Sequence, residues 1–273
     1  MALTLVPTEH EDSKAKWQVG VPDVSAAIAA LSGAVAHSPT TAQTLVGLLR
    51  LTATAPVQDG LVAESLAYSM LMAGEEHRRW LEDRSRRLIP TAAAPVTLKR
   101  NGDLLIVALN RPERHNAFGR EVRDGLVEAF DLVAVDDSIT RVRLVGNGPS
   151  FCSGGDLDEF GLTQDVSVAH LIRVERSVAA RIEAVRSRVE VELHGACIGA
   201  GTELAAFADR VVAHPDARIQ LPELAMGLVP GAGGTVGVTR RIGRWRTAWM
   251  ALSGEPLPAT TALRWGLVDE LAG

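Results

Sequence analysis

An α/β architecture preceded by a helical segment is what this sequence predicts, on three observations. Beyond residue 95, short apolar runs alternate with amphipathic helical patterns. Before residue 90 the chain is rich in Ala, Leu, Ser and Arg, with apolar residues at helical spacing. Between the two, "IPTAAAP" (89–95) sets a proline near each end of a run of small residues, a linker composition. The implied division is residues 1–95 for the helical extension with its linker and residues 96–273 for the α/β domain.

Taken in order, residues 22–89 read as helical. Leu66, Met70, Ala73, His77 and Trp80 recur at alternating spacings of four and three, so one helical face should carry them as a docked apolar stripe. "LLIVALN" (104–110) and "RVRLVG" (141–146) are strand candidates separated by a helical pattern over 121–135. "VEVELHG" (189–195) and "DRVVAH" (209–214) read as further strands, with the segment "GACIGAGTELA" (195–205) and a short helix between them. No fixed-period repeat or low-complexity tract is present.

Composition narrows the function classes. At 273 residues, 47% hydrophobic and 22% charged, the chain is long and apolar enough for a substantial core. A formal net charge of −5 argues against a general nucleic-acid binder, although a local basic patch could meet an anion. Two cysteines, Cys152 and Cys197, make no disulfide framework, and no His/Cys/Asp cluster has metal-ligand spacing. The start, "MALTLVPTEHEDSKAK", lacks the basic and apolar regions of a signal peptide, and no apolar run reaches about 18 residues. A cytoplasmic protein with no membrane or nucleic-acid partner is the expectation.

Three glycine-rich stretches invite comparison with nucleotide loops and fail it. Gly-x-Gly-x-x-Gly meets Leu204 and Val236 where its third glycine belongs, and no P-loop pattern occurs. "FCSGG" (151–155) misses the nucleophile-elbow pattern Gly-x-Ser-x-Gly at Phe151, which leaves Ser153 a weak nucleophile candidate.

Four blocks, "LNRPERHNAF" (109–118), "GPSFCSGGDLDEF" (148–160), "HGACIGAGTELAAFADRVVA" (194–213) and "LPELAMGLVPGAGGT" (221–235), stand in the order and near the spacing of the enoyl-CoA hydratase/isomerase (crotonase) family. The chain resembles that family from residue 96 to about 271. The resemblance implies a crotonase-like spiral of ββα units, assembled as trimers or dimers of trimers, acting on an acyl-CoA thioester with no cofactor beyond the coenzyme A of the substrate. It maps the oxyanion-hole donors onto the backbone N–H groups of Gly155 and Ala200, the latter often glycine in the family. Two such donors would stabilise the thioester enolate, each worth about 3 kcal/mol. Small residues serving only tight turns are the competing reading of both segments.

The two glutamates of the family's hydratases map onto Glu203, as the group that activates water, and Glu223, as the group that protonates the α-carbon. Retention of both points to hydration of a 2-enoyl-CoA. Isomerisation, cofactor-free oxygenation of an aryl-acetyl-CoA, or a non-catalytic subunit that binds CoA or a partner stand as alternatives. Arg114 matches a position where relatives often have a basic residue near the CoA phosphates or ribose, with a solvated arginine as the competing reading. Cys152, Ser153 and Asp156 flank the first oxyanion segment as further substrate-contact candidates, Asp156 also as a helix cap. His194 is expected to be a packed strand-end residue, and the arginines of "HRRWLEDRSRR" (77–87) a solvated helix face or a diphosphate contact. Typical members continue into C-terminal helices beyond the point matched by "RWGLVDELAG", and lack an N-terminal helical segment. Such a segment resembles the dihydroxyphenylacetyl-CoA dioxygenase branch, and the expectation is that it covers the acyl pocket.

Overall fold

The computed structural model describes residues 3–85, 94–163 and 165–273; residues 89–93 of the expected linker lie outside these. The N-terminal segment is not helical throughout. It begins with two short parallel strands, β1 (Thr4–Pro7) and β2 (Gln18–Val21), and continues into four helices: α1 (Val24–His37), α2 (Pro39–Thr52), α3 (Val57–Met72) and α4 (Glu75–Glu82). Asp23 starts α1 by accepting the Ala26 N–H at 3.0 Å, the usual N-cap contact.

Only the α4 end of the predicted apolar stripe is docked, where His77 is buried and Trp80 packs on it. Leu66 and Met70 are 54% and 55% exposed, while Gly60, Leu61, Glu64, Ser65, Ser69 and Leu71 are the buried residues of α3. Part of the reason is a helix break: α3 stops at Met72 and α4 starts at Glu75, so the four-and-three spacing runs across a change of axis. The rest is chemistry, because on the inward face Glu64 accepts backbone N–H groups while Ser65 and Ser69 donate to backbone carbonyls.

Beyond the linker, strands β3 (Val96–Asn101) and β4 (Leu104–Leu109) form an antiparallel hairpin with Val96 opposite Leu109. Helix α5 (Arg120–Val135) follows, burying Val122, Leu126, Phe130 and Val133 at helical spacing. The sheet then grows in parallel through β5 (Arg141–Gly146), which helices α6 (Val166–Glu175) and α7 (Val178–Ala184) follow, and β6 (Val189–Leu193). In β6, Val189, Val191 and Leu193 are buried while Glu190 and Glu192 face Arg143 on the other side, the period-two pattern of a half-buried strand.

After β6 comes β7 (Ala196–Ile198), three residues too short to read from sequence, and then α8 (Ala200–Ala205). The motif repeats with β8 (Arg210–Ala213), β9 (Arg218–Gln220), a 3-10 turn over Glu223–Met226 and α9 (Gly234–Ile242). In each repeat the first strand joins a six-stranded sheet and the second joins a three-stranded one. Helix α10 (Arg244–Ser253), β10 (Leu257–Pro258), α11 (Ala259–Trp265) and β11 (Glu270–Leu271) complete the chain. The large sheet runs β11-β8-β6-β5-β4-β3 and the small one β10-β9-β7.

The N-terminal segment is built into this frame. Arg246 of α10, fully buried, donates to the carbonyls of Ser13 at 3.0 Å and Gln18 at 3.2 Å. Glu11 accepts from Trp265 Nε1 at 2.7 Å and from Arg264 Nη2 at 2.9 Å. Thr52 at the end of α2 donates to the Thr235 carbonyl at 2.8 Å, and α3 lies against α6 and α9. Among the described residues no helix is long and apolar enough to cross a membrane.

Candidate active site

Turns from four places in the chain meet at one end of the small sheet. The loop after β5 runs beside β7, with Cys152 N–H donating to the Ala196 carbonyl at 3.0 Å and Ile198 N–H to the Cys152 carbonyl at 2.9 Å. Phe118 pairs across Gly155: its N–H donates to the Gly154 carbonyl at 2.7 Å and its carbonyl accepts from Asp156 N–H at 3.1 Å. This pattern turns the Gly155 N–H away from Phe118, and no acceptor among the described residues takes it. Ala200 is the first residue of α8, so its N–H has no acceptor within the helix.

The two turns touch. A Cβ on Gly199, which sits at φ +48°, would come within 3.6 Å of the Gly154 Cα and 2.5 Å of Glu223 Oε1. Both the left-handed backbone and the close approach of the carboxylate therefore require glycine at this position.

Glu203, on α8, and Glu223, at the start of the 3-10 turn, are both buried. Glu203 Oε2 accepts the N–H groups of Ala232 at 2.7 Å and Gly234 at 2.8 Å. Burial pushes its carboxyl up to about 7, against the pull of those two donors. Glu223 is raised well above the usual carboxylate range, first by burial and then by the negative charge of Glu203. Its Oε2 is buried without a hydrogen-bond partner among the described residues. Donors favour the ionised form, so Glu203 ionises first and Glu223 retains its proton longer. Two buried carboxyls of different proton affinity thus stand near one turn, set apart by their surroundings.

The weaker candidates divide differently. Arg114 Nη2 pairs with Asp156 at 2.6 Å and Asp158 at 2.7 Å, so its charge is met within the loop. Asp156 also accepts from Arg111 Nη1 at 3.4 Å and caps no helix; α6 is capped by Asp165, which accepts Ser167 N–H at 2.9 Å. A buried ion-pair knot therefore replaces the cap expected of Asp156. Cys152 is buried and its thiol is pushed up to about 12, mainly by desolvation. Cys197 moves the same way for the same reason. Ser153 fixes its loop by donating its N–H to the His115 carbonyl at 2.9 Å. The neighbouring histidines are engaged elsewhere, His115 Nδ1 with Ser150 Oγ at 3.0 Å and His194 Nε2 with the Gly148 carbonyl at 3.1 Å. In the arginine-rich stretch, Arg78 pairs with Glu75 and Glu82, Arg84 lies over the Trp80 ring at 4.7 Å, and residues 86 and 87 lie outside the described set.

Sequence reasoning missed Glu64 and Tyr68, both on α3. Glu64 is buried, accepting N–H groups from Gly233 at 2.6 Å and Thr235 at 2.8 Å and the Thr235 hydroxyl at 2.6 Å. Desolvation, then Glu203, raise its carboxyl to about 8. Tyr68 lies so close to Gly231 that a Cβ there would meet its ring at 2.4 Å, and Arg173 of α6 stacks on that ring at 4.7 Å. Burial holds the phenol far above its usual range. The available signal is a glutamate four residues after Gly60, among serines, on the face that also buries Leu61 and Leu71.

A cleft of about 60 Å³ opens between α3, α6 and the Gly231–Gly233 turn, lined by Glu64, Phe118, Arg173, Leu204 and Ala232 among others. Phe118 ties it to Gly155 and Leu204 adjoins Glu203, so it borders both. Among the described residues no group of three or more His, Cys, Asp or Glu side chains is arranged to hold a metal ion.

Comparison with known proteins gives the family and the fold. The sequence pattern of the family described as enoyl-CoA hydratase/isomerase matches residues 99–273. The chain is 35% identical over 176 residues to the 2,3-dehydroadipyl-CoA hydratase of Escherichia coli (strain K12), covering 64% of this chain and 68% of that protein. It is 34% identical over 170 residues to the 1,2-epoxyphenylacetyl-CoA isomerase of the same organism, covering 60% of this chain and 64% of that one. Among solved structures, an enoyl-CoA hydratase from Thermoplasma volcanium GSS1 superposes with a TM-score of 0.61 at 34% identity, over 66% of this chain and 72% of that chain.

Proposed function

Since the chain belongs to the enoyl-CoA hydratase/isomerase family and has the crotonase fold, we propose that it is an enoyl-CoA hydratase, adding water across the 2,3-double bond of a 2-enoyl-CoA. Acyl-CoA hydratase or isomerase chemistry is the family's range. Hydration is the finer reading. The observation that carries it is the pair Glu203 and Glu223: two buried carboxylates beside one turn, one held by two amides and one with an unpartnered oxygen.

In this reading the thioester carbonyl oxygen accepts the N–H groups of Gly155 and Ala200. Ionised Glu203 takes a proton from a water molecule as its oxygen bonds to C3. The electron pair of the double bond moves onto the thioester as an enolate, stabilised by those N–H groups. Protonated Glu223 then delivers its proton to C2, and proton exchange with solvent returns both carboxyls to their starting states. The product is a 3-hydroxyacyl-CoA, formed with no cofactor beyond the coenzyme A it carries. The same reading includes a cytoplasmic homo-oligomer, trimeric or hexameric, with no nucleic-acid or membrane partner. Arg114, Asp156, Cys152 and Ser153 shape the loop that presents Gly155.

The test is substitution. Glu203→Gln and Glu223→Gln are each expected to lower hydration of crotonyl-CoA by at least about a hundredfold while thioester affinity stays within about threefold. Near wild-type turnover in either variant removes that residue from the mechanism.

A further inference from the structure

The turn that carries Glu203 is shared. Four successive backbone N–H groups, from Ala232, Gly233, Gly234 and Thr235, alternate between two carboxylates: Ala232 and Gly234 donate to Glu203, Gly233 and Thr235 to Glu64. The Thr235 hydroxyl adds a third donor to Glu64. These groups include the first N–H groups of α9, so both carboxylates also sit at the positive end of that helix. Glu64 comes from α3, outside the residues matched by the family pattern.

We infer that Glu64 is a positioning residue of the active site: from the N-terminal segment it clamps the 231–235 turn through the N–H groups that Glu203 does not take, fixing the amides on which Glu203 rests. The clamp has an electrostatic consequence. Glu223 is raised by Glu203 and by Glu64, and Glu64 is not among its hydrogen-bond partners, so charge alone links those two. Among the described residues, other charged and titratable groups near the cluster include Tyr68 of α3 and Arg173 and His170 of α6, His170 Nδ1 lying 2.9 Å from Ser65 Oγ. Cys152 feels Glu203 from the loop before Gly155, and His77 of α4 holds the Met226 carbonyl at 2.8 Å below Glu223. Further along the cleft Arg123 and Arg176 both pair with Asp124. Arg173 donates to Ser65 Oγ at 3.2 Å and to Ser69 Oγ; it makes no ion pair with Glu64 among the described residues, but the two charges attract.

The sign follows directly. Above about pH 8 Glu64 is ionised, and its negative charge makes loss of the Glu223 proton harder. Removing that charge lets Glu223 ionise at lower pH.

The experiment is a carboxyl-carbon NMR titration of protein labelled at glutamate, in wild type, Glu64→Gln and Glu64→Asp, with Glu203→Gln and Glu223→Gln to assign signals. Expected is a fall in the Glu223 midpoint in Glu64→Gln, with most of it restored in Glu64→Asp. In parallel, the alkaline limb of kcat/KM for crotonyl-CoA moves to lower pH by the same amount, and kcat falls about tenfold with KM nearly unchanged. An unmoved Glu223 midpoint in Glu64→Gln overturns the inference, as does an equal shift in both variants. Should Glu64→Gln not fold, the wild-type spectrum decides: Glu64 and Glu223 must titrate in coupled steps, and independent midpoints overturn the inference. The kinetic arm rests on the hydratase reading; the spectroscopic arm does not, so a protein that fails to hydrate crotonyl-CoA refutes that reading while leaving the clamp decided by its own data.

Discussion

The N-terminal helix α3 and the spiral's 3-10 turn each deliver a carboxylate to one buried cluster, and they hold it in opposite ways. Glu64 has three donors, while Glu223 has an oxygen with none among the described residues. An unpaired buried polar group costs about 1–3 kcal/mol, and more when charged. A carboxyl left in that condition beside two free-facing amides is poised for a ligand. One whose hydrogen bonds are complete is committed to the scaffold. In the proposed reading the difference separates the group that reacts from the group that holds, although both are buried glutamates.

The largest effect expected from breaking this contrast lies in the spiral. Ala200→Pro removes one N–H at the first position of α8, where proline fits the helix, and should lower hydration by about 10²–10³ without unfolding the protein. A folded Ala200→Pro variant with normal turnover would sink the oxyanion assignment.

Stability sharpens the same contrast on a smaller scale. Glu203 and Glu64 are raised to about 7 and about 8, so the folded state holds their protons more tightly than the unfolded one. Their contribution is fully present below about pH 4.5 and lost as pH rises through 7 to 8; for Glu203 alone the loss is about 3 kcal/mol. Glu223→Gln, which forfeits no hydrogen bond at Oε2, should raise the melting temperature at pH 8 by a few degrees and leave it unchanged at pH 4.5. Glu64→Gln should melt below Glu223→Gln at both pH values, because an amide cannot accept all three donors. Equal melting temperatures would erase the distinction between the two carboxyls. The smallest effect is Ala200→Gly, which keeps the N–H and should change turnover by no more than about twofold.

The spiral was legible because its signals are local. Alternation marks β6, the 3.6 period marks α5, and the blocks around Gly155, Glu203 and Glu223 carry the family's order. β7 escaped because three residues between glycines hold no pattern. The N-terminal segment was legible as helices but not as part of the site. Apolar periodicity assigns Leu66 and Met70 to the inner face, whereas α3 turns Glu64, Ser65 and Ser69 inward. The donors that make this favourable, Gly233 and Thr235, lie about 170 residues away in sequence. No local pattern reports a partner at that distance. Asp156 shows the same limit, since its ion pairs with Arg111 and Arg114 come from a separate loop.

The central claim, that Glu203 and Glu223 add water to an enoyl thioester, is tested most directly by isotope labelling. Crotonyl-CoA and an aryl-acetyl-CoA are incubated separately with the protein in H₂¹⁸O and, in parallel, under ¹⁸O₂, and the products are read by mass spectrometry. The account predicts one ¹⁸O from water in 3-hydroxybutyryl-CoA, none from O₂, and no label in the aryl-acetyl thioester. Label from O₂, or crotonyl-CoA recovered without water added, would contradict it.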